Sequence, residues 1–383
     1  MWPFGRRARR AYSTVPPDSL LVIEGALRAS IEDMLLVKER QSNGARFRWG
    51  GQLLVDASRA LPLVEERFRP YGFTPFLKYA DDLTWVEAVP LAAVVANNRP
   101  TVNAVLFLLT VLSTFIAGAL PFGAIPFVNF DPLREPMSVR HGIEFAVTLL
   151  AILVTHEFGH YFTARFYRAS VSLPYFIPVP PPFLFGTLGA IIRMRSPARD
   201  RDSLFDIAVA GPLAGLAVAV PALWVGLLWS RVGAIPGGGS IAFGDSLLTG
   251  FLTYLRFGRI PAGQDVFIHP VALAAWVGLF VTALNLFPVG QLDGGRIAYA
   301  LFGARHRAVS IGTFFAVLAL GAIAGAPNWF VFGALVFLLV GFHHAPPLDD
   351  VTPVSRGRYV VGVVCLLLLI ALIPPVPIQI FEP

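Results

Sequence analysis

Cysteine is nearly missing from this 383-residue chain: Cys365 is the single one, so no internal disulfide can form. It lies in a late apolar run without a charged or histidine neighbour to lower its pKa, and it reads as packing. Lysine is as scarce, with Lys38 and Lys78 alone, so the net charge of +6 rests on arginine. Only 14% of residues are charged while 55% are apolar, and the mean hydropathy is +0.66. Such a composition excludes an ordinary soluble domain and points to a polytopic membrane protein, with the lipid bilayer as its first partner. In that setting the arginines set orientation and favour the anionic face of the membrane; no nucleic-acid partner is expected. No serine stands in a nucleophile-elbow pattern, which counts against a serine protease. No repeat of the length used by solenoids is apparent.

A secretory signal is missing too. Arg6, Arg7, Arg9 and Arg10 cluster within Met1 to Thr14 with no apolar core behind them, so residues 1–15 are expected to form a basic disordered tail. Residues 16–96 have the composition of a small soluble α+β domain. Helices are expected at Ile31 to Val37 and at Leu61 to Phe68, the second capped by Asp56, and strands at Arg46 to Val55 and Phe73 to Val86. This segment holds no histidine and no cysteine, so regulation or substrate binding suits it better than catalysis.

Residues 97–383 read as an all-α membrane domain of about seven transmembrane helices. The apolar runs are Val102 to Phe122, Ile143 to Tyr167, Leu204 to Trp229, Pro270 to Phe287, Val309 to Ala324, Trp329 to Phe342 and Tyr359 to Pro374. A half-length element is expected at Ile297 to Phe302. Arg165, Arg168, Arg193, Arg195, Arg199 and Arg201 crowd the joint after the second run. Arg305 and Arg307 precede the fifth run, and Arg356 and Arg358 the last. If crossings alternate, these all fall on one side with the amino terminus. That side should be the cytoplasmic face of a cell (inner) membrane, and the joint from Arg231 to His269 should face outward.

Inside the second run stands His156-Glu157-Phe158-Gly159-His160. Residues four apart share a helix face, so the two imidazoles can serve one metal, with Glu157 beside them as a base. Imidazole pairs of this kind suit Zn2+, and polar groups kept inside a lipid-spanning segment usually serve a site. The third ligand is sought in Asn285-Leu-Phe-Pro-Val-Gly-Gln-Leu-Asp293-Gly-Gly-Arg296, where proline and glycines break an apolar run. Irregular backbone at membrane depth is tolerated only where protein or a watery cavity surrounds it. Asp293 there either caps the following helix or completes a His-His-carboxylate set with one open position; together with the histidines, the ligand role is preferred.

HEFGH in one apolar run and NLFPVGQLDGG in a later one resemble the site-2 protease family of intramembrane zinc metalloproteases. Gly186-Thr-Leu-Gly189 and Ala210-Gly-Pro-Leu-Ala-Gly215 are similar to its intervening segments, and the resemblance covers roughly Ile143 to Phe302, within a catalytic core of 141–304. It implies one Zn2+ per chain on His156, His160 and Asp293, Glu157 as catalytic base, and Asn285 as a polar residue that contacts the substrate or the oxyanion. It implies further a membrane-anchored protein as substrate, cut in regulated intramembrane proteolysis. A soluble amino-terminal domain without a recognisable inserted PDZ domain is similar to the chloroplast and cyanobacterial branch. The short amino terminus argues for a bacterial or archaeal chain.

A substrate helix hides its carbonyls in its own hydrogen bonds, so an extended partner is needed to open it. Ser172 to Pro182 is too rich in proline for a helix, and Leu184 to Met194 carries Gly186 and Gly189 among apolar and β-branched residues. A hairpin or extended edge is expected there, with Ile191 offering an edge donor to substrate. The remaining polar residues receive plainer readings. Gly211 and Gly215 serve close helix packing, and His343, His344, His141 and His269 are polar residues at span ends. Asp206 is taken to cap the Leu204 helix. The alternative to an enzyme is a non-catalytic membrane protein, either a divalent-metal transporter or a pseudoprotease that binds substrates. Glu157 is the discriminator, because a transporter has no need of a base beside its ligands. Oligomeric state is left open.

Overall fold

The computed structural model describes residues 17–44, 46–90, 99–120, 138–180, 183–235 and 240–381. The expected basic tail at 1–15 and the expected domain boundary at 96/97 lie outside these residues. The chain divides into two units: residues 1–97 with 195–204 and 345–356, and residues 98–194 with 205–344 and 357–383. The first takes in two segments from beyond the expected 16–96 stretch.

In the first unit, α1 (Pro17–Ala29) and α2 (Ala57–Phe68) accompany an antiparallel sheet. Its strands are β1 (Leu35–Asn43), β2 (Arg46–Leu53), β3 (Phe73–Ala80) and β4 (Leu83–Pro90), in the order β1-β2-β4-β3. Leu27, Ile31, Trp49, Phe68, Phe73 and Leu77 are fully buried and form its core. The expected helix at Ile31 to Val37 is instead a turn that runs into β1. Ile31, Met34 and Leu35 have helical spacing and are all buried, but only one turn forms, closed by Leu35 N–H donating to the Ile31 carbonyl at 2.8 Å. Pairing with β2 then takes the chain, so tertiary contact overrides local pattern. The expected single strand at Phe73 to Val86 is a hairpin: Asp81 and Asp82 both have positive φ, 53° and 57°, as a two-residue primed turn requires. Asp56 stands at the N-cap of α2, but its side chain makes no cap bond. Beyond β3 the sheet is extended by residues 348–350, with Leu77 N–H donating to Leu348 O at 2.7 Å and Asp350 N–H to Leu77 O at 2.9 Å.

The second unit is mostly helical. Among the described residues, four helical runs are long and apolar enough to cross a membrane: α3 (Pro100–Ala119), α4 (Val139–Phe166), α5 (Arg201–Trp229) and Asp293–Ala324. The last is interrupted at Gly303, whose φ of 55° ends α8 (Asp293–Phe302) before α9 (His306–Ala324) begins. Shorter apolar helices are α6 (Leu247–Phe257), α7 (Pro270–Leu286) and α10 (Asn328–Leu335), which closes in a π turn; α11 is Arg356–Leu372. Each of the seven expected runs, over its described residues, and the half-length one fall on a helix. Small residues allow close packing: a Cβ on Gly278 would meet Ile152 Cγ2 at 2.8 Å, which fits α7 against α4. Two strand pairs stand between the helices, β7 (Arg231–Ala234) with β9 (Gln264–Phe267), and β8 (Ser240–Phe243) with β10 (Ile378–Phe381). A third, β5 (Tyr175–Pro178) with β6 (Thr187–Ile191), is the hairpin expected between Ser172 and Met194.

Asp206 corrects an expectation. Helix α5 begins at Arg201, so Asp206 is a full turn inside it, and Asp200 takes the cap, its Oδ1 accepting Ser203 N–H at 2.7 Å. Asp206 instead accepts from Arg358 of α11 at 2.7 Å through both oxygens, and from the Tyr167 hydroxyl.

Candidate metal centre

Helix α4 has no strong apolar stripe, because it is enclosed by neighbours on several faces. That places His156, Glu157 and His160 in the interior, each about 95% buried or more. They lie on the same helix as its basic end at Arg165, which follows His160 by less than two turns. His156 Nε2 and His160 Nε2 lie 3.2 Å apart.

The third group arrives from a broken helix. α7 stops at Leu286, the chain turns through Pro288 and Gly290, and α8 restarts at Asp293. Leu292 is the N-cap residue and makes no side-chain cap bond. Asp293 directs Oδ2 to His160 Nε2 at 3.1 Å and to His156 Nε2 at 3.3 Å. One donor atom from each of the three lies within 4.8 Å of the others. Of the two roles open to Asp293, geometry places its carboxylate with the histidines.

The donor set fits zinc on chemistry as well as spacing. His160 Nδ1–H donates to the Ile207 carbonyl at 2.6 Å, which fixes the tautomer and leaves Nε2 with a lone pair toward the other two donors. Two imidazoles and one carboxylate make a three-ligand set that leaves a fourth position for water or substrate. The pocket is also cut to size. A Cβ on Gly211 would collide with the His160 ring, one on Gly215 would press on His156 Nδ1 at 3.2 Å, and one on Gly159 would meet the Ala210 carbonyl at 2.7 Å. Packing was the expected role of Gly211 and Gly215; what they pack against is the imidazoles of His160 and His156.

The expected substrate-contacting residues lie on two neighbouring elements. Asn285 is half-buried on the last turn of α7. Gly186 and Gly189 have φ of 69° and 93°, and Ile191 ends β6 with 54% of its surface exposed. The hairpin is held by α3: Ser113 Oγ–H donates to Gly186 O at 2.6 Å, and Asn103 Nδ2–H to Leu173 O and Pro174 O at 3.1 and 2.8 Å. A Cβ on Gly189 would lie 4.0 Å from Val281, which is four residues from Asn285 and so on the same face of α7. Ile207, Ser113 and Asn103 were not singled out from sequence. A backbone carbonyl leaves no trace in residue type, and a lone Ser or Asn in an apolar helix is only a weak flag.

The other histidines are placed differently. His269 caps α7, Nδ1 accepting Val271 N–H at 3.3 Å, and its Nε2 lies 3.4 Å from Glu144. His344 stacks near Tyr299 and His306, with ring centroids at 4.9 and 6.1 Å, while His343 is exposed.

A helical His-Glu-x-x-His pair joined by a distant aspartate defines a metallohydrolase-type centre in an apolar helical unit. Residues 144–324 match the model of peptidase family M50, in keeping with the motif resemblance to site-2 proteases. The chain is 35% identical over 246 residues to the probable zinc metalloprotease EGY1, chloroplastic, of Oryza sativa subsp. japonica, covering 62% of this chain and 41% of that protein. It is 32% identical over 292 residues to the protein of the same name from Arabidopsis thaliana, covering 70% and 52%. To the probable zinc metalloprotease EGY2, chloroplastic, of Oryza sativa subsp. indica it is 32% identical over 264 residues, covering 67% and 46%. The chain thus spans about half the length of these relatives. No solved structure matches it.

Proposed function

We propose that this protein is a multi-pass membrane zinc endopeptidase that cuts membrane-anchored proteins within or beside their transmembrane segments. The observation that carries the reading is the convergence of His156, His160 and Asp293, buried in apolar helices, with Glu157 adjacent on the same turn. A metal transporter would explain the three donors but gives Glu157 no work, and the relatives are named as metalloproteases.

In this mechanism His156, His160 and Asp293 hold one zinc, which when bound supplies Lewis acidity toward water and the scissile carbonyl. Ile207 and the small residues of α5 keep the imidazoles in the required orientation. Glu157 takes the proton of the attacking water, whose oxygen forms the new bond to the carbonyl carbon. It then returns that proton to the leaving amine as the C–N bond breaks. The β5–β6 hairpin pairs with the substrate backbone along β6, where Ile191 is exposed, and holds it extended; Asn285 donates to the polarised carbonyl oxygen. Ile191→Pro should lower cleavage of a helical substrate at unchanged zinc content. Wild-type cleavage by that variant would reduce the hairpin to a connector.

The topology is proposed from connectivity. Residues 17–90, 195–204 and 345–356 share one unit, so they lie on one side of the bilayer, the side of the arginine-rich joint. α3 and α4 separate the first two segments. α5, the α7–α8 pair, α9 and α10 separate the second from the third, an even number of crossings in each interval. β8 and β10 then meet on the opposite side, one before α7 and the other after α11. The expected cell inner membrane finds no support in the comparisons, whose relatives are named chloroplastic. The test of the activity is Glu157→Gln in full-length protein reconstituted in lipid with candidate anchored substrates. It should bind zinc as wild type does and leave the substrate intact; normal cleavage would refute the reading.

A further inference from the structure

The turn that delivers Asp293 is held by a hydroxyl that belongs to no motif. Ser310, on α9, is fully buried, and so is His306 one turn before it. Ser310 Oγ lies 3.2 Å from Pro288 O, 3.2 Å from Gly290 N and 3.1 Å from His306 Nε2. A hydroxyl has one proton and two acceptor sites, and the three partners use all of them in one way. Gly290 N–H can only donate and Pro288 O can only accept. The serine proton therefore goes to Pro288, and its remaining acceptor site takes a proton from His306 Nε2–H.

The same turn is in mechanical contact with the ligand. Gly290 has φ of 53°, and any Cβ there would strike the Gly341 carbonyl, so the turn has no slack on its far side. A Cβ on Gly295 would meet the carbonyls of Gly290 and Val289 at 2.5 Å, and one on Gly294 would strike the Leu286 carbonyl. Leu292 N–H donates to Val289 O at 3.2 Å. The first turn of α8 therefore rests directly on the backbone that Ser310 holds, and Asp293 is its first residue. Any drift of the 288–290 turn is transmitted to a carboxylate that has to meet two imidazoles at once.

We propose that Ser310, oriented by His306, is a positioning residue for metal binding: it locks the Pro288–Gly290 turn so that Asp293 reaches His156 and His160. The inference rests on the zinc reading above and goes beyond it, since neither residue touches the metal donors. A purely architectural serine would affect folding without favouring one ligand.

The test is zinc affinity of the full-length protein in detergent, by competition with a chromophoric chelator, alongside the absorption spectrum of the cobalt-loaded form. Ser310→Ala should weaken zinc binding about tenfold and alter the cobalt spectrum, whereas Ser310→Thr, which keeps the hydroxyl, should restore both. His306→Leu should reproduce part of the loss and His306→Gln, which keeps a donor, should relieve it. In an Asp293→Ala background Ser310→Ala should cost less than about threefold, because the brace acts through that carboxylate. Wild-type affinity and spectrum in Ser310→Ala would overturn the proposal, as would an undiminished further loss in the Asp293→Ala background. Should Ser310→Ala fail to fold, equal affinities of His306→Leu and wild type would overturn it instead. A wild-type protein without zinc affinity would refute the metal reading itself.

Discussion

The two units of this chain differ in what they carry on the outside. The first hides Trp49, Phe68 and Leu77 and carries its Arg67–Asp33 ion pair at the surface, at 2.6 Å. In the second, Leu108, Leu338 and Ile323 are 65%, 74% and 86% exposed while two histidines and a glutamate are buried. Apolar side chains form the core of both units, and in the second they cover much of the outside as well. The exposed apolar surface of the second suits the lipid proposed for it, as the first suits water, and the polar interior of the second is tolerable only because its groups are directed at one another.

The largest effect should come from the most buried chemistry. Glu157→Gln is expected to lower cleavage about 10³-fold at unchanged zinc stoichiometry, measured by peptide release and metal analysis; loss of metal instead would make Glu157 a ligand or a structural group. Next comes a direct attempt to break the contrast of solvents. Leu108→Arg, at the middle of α3, should destabilise the reconstituted protein by about 3 kcal/mol, whereas Val22→Arg, 73% exposed in the first unit, should change stability by less than about 0.5 kcal/mol. Equal, small effects in urea or detergent unfolding would mean that α3 does not face lipid.

Gly211→Ala sharpens the comparison from inside. Its methyl would enter the His160 ring, and overpacking of this kind costs about 1–3 kcal/mol, so zinc occupancy should fall while the hydrogen exchange of β2 in the first unit stays as it was. The smallest effect belongs to the exposed pair. Arg67 holds the Asp33 carboxyl below its ordinary 3.8, chiefly through their hydrogen bond, so the pair contributes stability above pH 3.8 that is lost as pH falls through the depressed value. At this exposure it contributes under about 1 kcal/mol, and Arg67→Ala should remove that dependence and leave a salt-insensitive remainder. A larger, salt-resistant loss would show the first unit to be less water-like than its core suggests.

Much of the second unit was legible beforehand because long apolar runs are a strong pattern. Every long apolar run lies on a helix over its described residues, as expected where a segment satisfies its backbone hydrogen bonds within itself. Where water is the solvent the reading was weaker: Ile31, Met34 and Leu35 mimicked a helix, and Asp81-Asp82 was passed over as a turn because aspartate at positive φ is less usual than glycine. Asp206 was misread as a cap because its partner, Arg358, is 152 residues away.

By itself the sequence determined the chemistry of the centre. Residue identity and helical period put two imidazoles and a carboxylate on one stretch, and the break at Pro288 to Gly295 announced that something polar interrupts an apolar run. Only the tertiary structure decided that Asp293 closes on those imidazoles and not on its own helix end. It alone decided that the Ile207 carbonyl selects the His160 tautomer, and that Ser310 holds the turn behind Asp293. These contacts join residues tens to more than a hundred positions apart, and most run through backbone atoms that every residue type shares. No local pattern encodes them, because packing, not side-chain identity, brings those atoms within hydrogen-bonding distance.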